Sequence, residues 1–198
     1  MTSSGTHDLV VIGTSWGGLD ALRTLLRGLP PELDAAVVVA QHRAPESHPT
    51  AFRDLLRSAA RLRVCEADDK EPLRHGVVFL APPDYHLLVD GEHLALSVDE
   101  AVAYSRPSID VLFESAAEAA RDRCIGVVLT GANDDGARGA ARIRQLGGVV
   151  VIQDPTEAER GEMPRSAVEA VPDALVVSLA AMPDLLVSLC GTTTTVAA

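Results

Sequence analysis

The feature that most constrains the fold is a set of short, uninterrupted apolar runs, each of which ends at a glycine or a polar residue. A strand that is apolar on both sides must be buried on both faces, which is typical of a parallel sheet covered by helices. Segments with helical spacing of apolar residues separate the runs. The pattern predicts an α/β fold: a doubly wound, mostly parallel sheet with helices on both faces. The four clearest runs are Leu9–Ile12, Ala35–Ala40, Ile125–Leu129 and Val149–Ile152.

Shorter apolar segments lie in the middle of the chain, at 76–80, 86–89 and 94–98, separated by turn residues such as Asp90-Gly91. This spacing predicts β-structure inserted into the α/β pattern as a small antiparallel hairpin. Residues 1–190 then form one domain, and the low-complexity tail at 191–198 is expected to be disordered. We predict further strands at 61–66 and 174–178 and helices at 19–29, 49–60, 108–122, 134–146, 163–170 and 182–189.

The composition excludes several functional classes. The net charge of −11 and an aromatic content of only 3% argue against a nucleic-acid partner, which needs a basic face or a stacking platform. No apolar run approaches the length of a membrane span, and the first residues do not resemble a signal peptide, so we expect a cytoplasmic protein without membrane insertion. Three widely spaced cysteines indicate neither a metal site nor a disulfide framework, and we expect no cofactor.

Three residues with complementary chemistry follow three of the predicted strands. Ser15 comes after the first run, His42 after the second, and Asp135 after the run that ends at Leu129. The carboxyl ends of parallel strands share one edge of a sheet, where ligands of such folds bind. A hydroxyl, an imidazole and a carboxylate are the groups that serine acyl transfer requires.

The residues alone leave alternatives open. The turn Gly13–Gly18 could hold a phosphate at a helix N-terminus instead of presenting a nucleophile, although it matches neither the dinucleotide fingerprint nor the P-loop. His42 could be a core histidine. Asp134 competes with Asp135 for the carboxylate role, and either could simply begin the following helix.

A series of ordered motifs covers nearly the whole chain, from about Leu9 to about Leu189. They are Gly13–Gly18 (GTSWGG), Gln41-His42, Phe79–Pro82 (FLAP) with His86 following, Arg106–Phe113 (RPSIDVLF), Leu129–Ala137 (LTGANDDGA), Gln153-Asp154 and Met163–Ala167 (MPRSA). In these motifs and their order, the chain resembles the catalytic domain of the CheB-type protein-glutamate methylesterases of bacterial chemotaxis.

The resemblance implies an activity and a set of site residues. Ser15, His42 and Asp135 would form a catalytic triad that hydrolyses glutamate γ-methyl esters on the cytoplasmic helices of chemoreceptors, releasing methanol, and that can deamidate receptor glutamines. The methylated receptor, or a related signalling protein, would be the partner, and we expect a monomer. The residues expected to form the oxyanion hole or bind substrate are Trp16, Ala132, Arg43 and Met163.

The chain also departs from the family pattern. Trp16 replaces a common threonine, Ala132 and Asn133 replace a Met-Gly pair, and Ser105 stands where histidine is usual. No receiver domain precedes the motifs, so we expect no phosphorylation control within this sequence. These departures leave two alternatives: a regulatory or binding module with little turnover, or an esterase with another substrate. Arginines expected at the cleft rim could attract an acidic helix; they are Arg43, Arg138 and Arg165.

Overall fold

The computed structural model describes residues 7–43 and 50–193. Strands and helices alternate along most of the chain, as the apolar runs predict. The strands are β1 (Leu9–Thr14), β2 (Ala36–Gln41), β3 (Arg63–Glu66), β4 (Val77–Leu80), β5 (His86–Asp90), β6 (His93–Ser97), β7 (Cys124–Val128), β8 (Val149–Gln153) and β9 (Leu175–Val177). The helices are α1 (Gly18–Gly28), α2 (Ala51–Ala59), α3 (Ile109–Ala120), α4 (Ala137–Gln145), α5 (Glu162–Ala170) and α6 (Met182–Cys190), with a 3₁₀ turn at Arg121–Arg123.

Seven strands form one sheet in the order β3-β4-β2-β1-β7-β8-β9, and every adjacent pair is parallel. The remaining strands, β5 and β6, pair with each other as an antiparallel hairpin. The predicted fold class is therefore confirmed. The assignment of 76–80 to the inserted hairpin region was wrong, because Val77–Leu80 pairs in parallel with β2 and β3 inside the main sheet. Its four residues are all buried, as in the other central strands.

The sheet separates two apolar cores. Alternate residues of a strand point to opposite faces, and in β1 the side chains of Leu9 and Val11 join one core while Val10 and Ile12 join the other. The first core lies under α3, α4, α5 and the β5-β6 hairpin. The second lies under α1, α2 and α6. Helices on both faces explain why the strands carry no alternation of polar and apolar residues.

Element boundaries differ from the predictions mainly around glycines. Helix α4 begins at Ala137 rather than at Asp134, because Gly136 has a φ of 98° and turns the chain into the helix. Both acids of the Asp134-Asp135 pair thus lie in the β7–α4 loop. At the other end of the chain, Thr193 N donates to Glu32 O, so residues 191–193 do not behave as a frayed tail. The remaining residues of the predicted tail, 194–198, lie outside the described residues.

Candidate active site

The carboxyl edge of the sheet has a crevice beside β1. The chain leaves β1 for β2 on one side, and β7 pairs with β1 on the other side, so the strand order reverses there. Ligands of open α/β sheets bind at such reversals. Ser15 follows β1 directly and His42 follows β2 directly, in neighbouring positions of the register.

The glycine-rich turn holds Ser15 by its backbone. Ser15 N donates to Thr130 O at 3.0 Å, and Gly18 N donates to Ser15 O at 3.0 Å. The side chain of Gln41 fastens the two strand ends together, since its Nε2 donates to Ser15 O at 2.8 Å and to His42 O at 3.0 Å. A Cβ on Gly18 would lie 2.0 Å from Gln41 Oε1. The glycine is thus required for close approach of the helix start to Gln41.

His42 and Asp135 form a direct pair. The Nε2 atom of His42 lies 2.7 Å from Asp135 Oδ2, and the two side chains are 13% and 0% exposed. A carboxylate only accepts hydrogen bonds, so Nε2 carries the proton that joins them. In the neutral ring, the lone pair is then on Nδ1.

The N-terminus of α3 surrounds the Asp135 carboxylate. Oδ1 accepts from Ser108 Oγ at 3.0 Å and from Asp110 N at 2.9 Å, and Oδ2 accepts from Ile109 N at 2.8 Å in addition to His42. Burial by itself raises the pKa of Asp135, but the hydrogen bonds from His42, Asp110 and Ile109 outweigh it and hold the pKa below its ordinary value. Asp135 is therefore ionised at neutral pH.

A second carboxylate completes a reciprocal arrangement. Asp110, in the first turn of α3, accepts hydrogen bonds from Gly136 N at 2.9 Å and Gly139 N at 2.8 Å, both on Oδ1. Its Oδ2 lies 3.5 Å from Arg138 Nε. Burial raises the pKa of Asp110, and the hydrogen bond from Gly139 offsets this only in part. Asp135, which precedes α4, thus lies at the N-terminus of α3, and Asp110, in the first turn of α3, lies at the N-terminus of α4.

Ser15 and His42 line one open cavity of about 530 Å³. Leu19 of α1 and the α2 residues Phe52 and Leu55 form its apolar wall. Within the described residues, Ser15 Oγ makes no hydrogen bond to His42. The structure places the predicted serine and histidine at one cavity and pairs the histidine with the predicted carboxylate, but it shows no hydrogen bond between Ser15 Oγ and His42.

The other predicted site residues differ in their exposure and in their contacts. Trp16 is 59% exposed, and its Nε1 donates to Glu159 Oε1 at 2.9 Å. Ala132 is exposed in the β7–α4 loop. Met163 is 1% exposed and lies under Gly131, whose added Cβ would be 2.6 Å from Met163 Sδ. Met163 therefore packs against the β7–α4 loop and does not line the cavity.

Arg43 lines the same cavity as Ser15 and His42, but most of its guanidinium is engaged by other groups of the chain. Its side chain is only 5% exposed, its Nη2 donates to Ala81 O at 2.7 Å and faces Glu66 Oε1 at 3.5 Å, and its guanidinium stacks on Phe52 at 4.8 Å. Burial lowers the pKa of Arg43. Arg138 and Arg165 are exposed but pair with acids of their own: Arg138 with Glu114, and Arg165 with Glu162.

Residues that the sequence reasoning did not single out organise the site. Gln41, Ser108 and Asp110 lie inside the motifs used for the resemblance, but only their contacts show what they hold. Thr130 is another: its N donates to Gln153 Oε1 at 2.9 Å and its Oγ1 donates to Trp16 O at 2.9 Å. For Gln41 and Thr130, the sequence signal that could have identified them is a polar residue at the end of an apolar strand.

Comparison with known proteins decides the family. A family model described as CheB methylesterase matches residues 10–186 of the chain. The chain belongs to the CheB methylesterase family. A relative from Leptospira interrogans, named putative protein-glutamate methylesterase/protein-glutamine glutaminase, is 44% identical, and the alignment covers 92% of this chain and 95% of that protein.

Longer relatives contain the family domain as one part. A protein-glutamate methylesterase/protein-glutamine glutaminase from Geobacillus kaustophilus is 39% identical, and the match covers 92% of this chain but 54% of that protein. The crystal structure of the Thermotoga maritima CheB methylesterase catalytic domain superposes with a TM-score of 0.87 at 32% identity, covering 92% of this chain and 98% of that one. This CheB-family chain therefore corresponds to the catalytic domain. None of its helices, over the residues described, is long and apolar enough to cross a membrane.

Proposed function

We propose that the chain is a serine hydrolase that removes methyl groups from glutamate γ-methyl esters of a chemoreceptor-like signalling protein in the cytoplasm. The observation that carries the proposal is the pairing of His42 with a buried, ionised Asp135 at the cavity that also contains Ser15. Family membership and the names of the relatives supply the substrate class. The same acyl chemistry would deamidate glutamine side chains, and we expect the protein to act as a monomer.

His42 would be the general base. Asp135 fixes the proton on Nε2, so Nδ1 is the nitrogen that can take the proton of Ser15 Oγ. Across the described part of the chain, no group hydrogen-bonds to Nδ1. In enzymes without bound substrate such contacts are often long and tighten when the substrate binds. Asp135 stays ionised and stabilises the imidazolium that forms.

Two backbone amides are suited to the oxyanion. Thr130 O accepts from Ser15 N, and Thr130 Oγ1 donates to Trp16 O, so the loop that carries Ala132 lies alongside the nucleophile's turn. Within residues 7–43 and 50–193, neither Trp16 N nor Ala132 N donates a backbone hydrogen bond to a turn or loop group. We assign these two N–H groups to the tetrahedral oxygen. An alanine provides such a donor as well as a methionine does.

The reaction then follows acyl transfer. Ser15 Oγ bonds to the ester carbonyl carbon while His42 takes its proton; the C–O bond to the methoxy group breaks, and His42 returns the proton so that methanol leaves. A water molecule gives a proton to His42 and bonds to the carbonyl carbon of the glutamyl-Ser15 ester. The bond from that carbon to Ser15 Oγ breaks, His42 returns the proton to Oγ, and the product leaves as a glutamate carboxyl group that ionises in water. Each step needs only the groups at the site and one water molecule.

Methanol release from a methylated receptor fragment tests the proposal. Ser15→Ala should remove turnover, whereas Ser188→Ala, on the exposed face of α6, should keep the wild-type rate. Equal rates in the wild type and Ser15→Ala would overturn the proposal, and so would no rate in the wild type under conditions where a longer relative is active.

A binding module without turnover is the second candidate. The observation in its favour is the missing hydrogen bond between Ser15 Oγ and His42, together with the altered Ala132-Asn133 segment. An activated ester distinguishes the two: a burst of alcohol equivalent to the enzyme concentration requires an acyl-enzyme and excludes the binding module. A stable complex with the methylated receptor without any burst would favour it.

A further inference from the structure

The β5-β6 hairpin contacts the start of α3 through the side chain of His86. This histidine is the first residue of β5, is 1% exposed and does not line the cavity. It therefore has no access to a substrate. Its position against the start of α3 suggests another use.

Both ring nitrogens of His86 have backbone partners. Ser108 N donates to Nδ1 at 3.1 Å, and Nε2 lies 3.1 Å from Glu100 O. An amide N–H can only donate and a carbonyl oxygen can only accept, so the ring is the neutral tautomer with its proton on Nε2. The hairpin thus holds the backbone of Ser108 by one directional hydrogen bond.

Ser108 connects this bond to the carboxylate. It is the N-cap of α3, and its Oγ donates to Asp135 Oδ1 at 3.0 Å. The next two amides, of Ile109 and Asp110, also donate to Asp135. The Ser108 amide is the one in this group that faces away from Asp135, and His86 is its acceptor. Movement of Ser108 would therefore move three of the carboxylate's four donors.

We propose that His86 is a positioning residue: through Ser108 it fixes the start of α3 and so fixes the Asp135 carboxylate that orients His42. The inference rests on the proposed roles of Ser15, His42 and Asp135. It gives the hairpin insertion a function in the reaction, beyond covering the core. A purely structural role would instead change stability and leave the His42–Asp135 pair intact.

Two substitutions at His86 separate these roles. Asn places an amide oxygen near the position of Nδ1 and can still accept from Ser108 N, whereas Leu fills the space without an acceptor. His93→Leu, at the exposed histidine of the same hairpin, is the matched control. We expect His86→Leu to lower kcat for methanol release about tenfold with KM within about twofold. His86→Asn and His93→Leu should stay within about threefold of the wild type.

The NMR signal of the His42 Nε2 proton gives a readout that needs no substrate. Held between two heavy atoms 2.7 Å apart, this proton should give a downfield, slowly exchanging resonance in the wild type and in His86→Asn. The resonance should shift or broaden in His86→Leu. If the wild type shows the resonance but no turnover, the proposed function fails and this test of positioning still stands.

Ser108→Ala keeps the experiment decisive if His86→Leu does not fold. It retains the backbone bond to His86 and removes the hydroxyl bond to Asp135, so kcat and the resonance should change as in His86→Leu. A folded His86→Leu with wild-type kcat and resonance would overturn the proposal. Equal losses in His86→Leu and His86→Asn, or an unchanged Ser108→Ala, would overturn it as well.

Discussion

Asp135→Asn is the substitution whose outcome the structure defines most closely. The carboxylate has hydrogen-bond donors on both oxygens: Ser108 Oγ and Asp110 N on Oδ1, Ile109 N and His42 Nε2 on Oδ2. An amide replaces one oxygen by an NH₂ group, which only donates. Whichever way the amide is turned, one buried backbone N–H loses its acceptor.

The magnitude follows from that count. One unsatisfied buried N–H costs about 1–3 kcal/mol of unfolding free energy, and we expect a loss in this range at neutral pH. If the NH₂ group faces His42, the ring must accept on Nε2 and carry its proton on Nδ1, the wrong tautomer for a base toward Ser15. A wrong-tautomer histidine costs about 10⁴-fold in kcat in the serine proteases, and we expect a loss of about 10³–10⁴-fold here.

Urea unfolding and the kcat of methanol release measure the two effects. Asp134→Asn is the matched control, because the neighbouring acid is exposed and should change neither quantity. The pH dependence of the unfolding free energy tests the direction of the Asp135 effect. The pKa of Asp135 is lowered in the fold, so its stabilisation is present above the unfolded pKa of about 3.9 and is lost as the pH falls through the folded value. Wild-type activity in Asp135→Asn, or equal damage in Asp134→Asn, would refute the reasoning.

Three further substitutions have defined outcomes. Asp110→Asn should cost less than about 1 kcal/mol by urea unfolding, because its two backbone donors share Oδ1 and the amide oxygen can accept from both. The pKa of Asp110 is raised in the fold, so its negative charge destabilises the folded state above the folded pKa. A large loss of unfolding free energy at neutral pH would contradict this prediction. Gly18→Ala should cost about 1–3 kcal/mol and lower kcat, because its Cβ would displace Gln41 from Ser15 and His42; unchanged melting and turnover would contradict it. Trp16→Phe removes an exposed hydrogen bond to Glu159 and should change stability by less than about 1 kcal/mol while altering KM more than kcat; a kcat loss at constant KM would be the opposite result.

The sequence predicted the sheet because burial on both faces leaves a local mark. Runs such as Leu9–Ile12 need no knowledge of their partners to be identified as central strands. The β4 strand was misassigned for the complementary reason: its pairing with β2 and β3 is long-range, and its short length between turns resembled the hairpin segments beside it.

At the candidate site, too, local patterns identify some residues and long-range contacts decide the others. Ser15 and His42 follow directly from strand ends, which the sequence locates well. The residues alone left Asp134 and Asp135 open, and the resemblance at 129–137 favoured Asp135. The contacts give the physical reason, which lies in long-range structure: four donors surround Asp135, which is 2% exposed, whereas its neighbour is exposed. Arg43 was predicted at the cleft rim and does line the cavity, but no local pattern showed that Phe52 and Ala81 would cover its guanidinium.

Labelling with a fluorophosphonate probe tests the central claim most directly, that His42 and Asp135 make Ser15 Oγ a nucleophile. Mass spectrometry should locate one phosphonyl group on Ser15 in the wild-type protein, and the labelling rate should fall sharply in His42→Ala and Asp135→Asn. A probe that leaves Ser15 unmodified, or that modifies it equally fast without His42, would contradict the account.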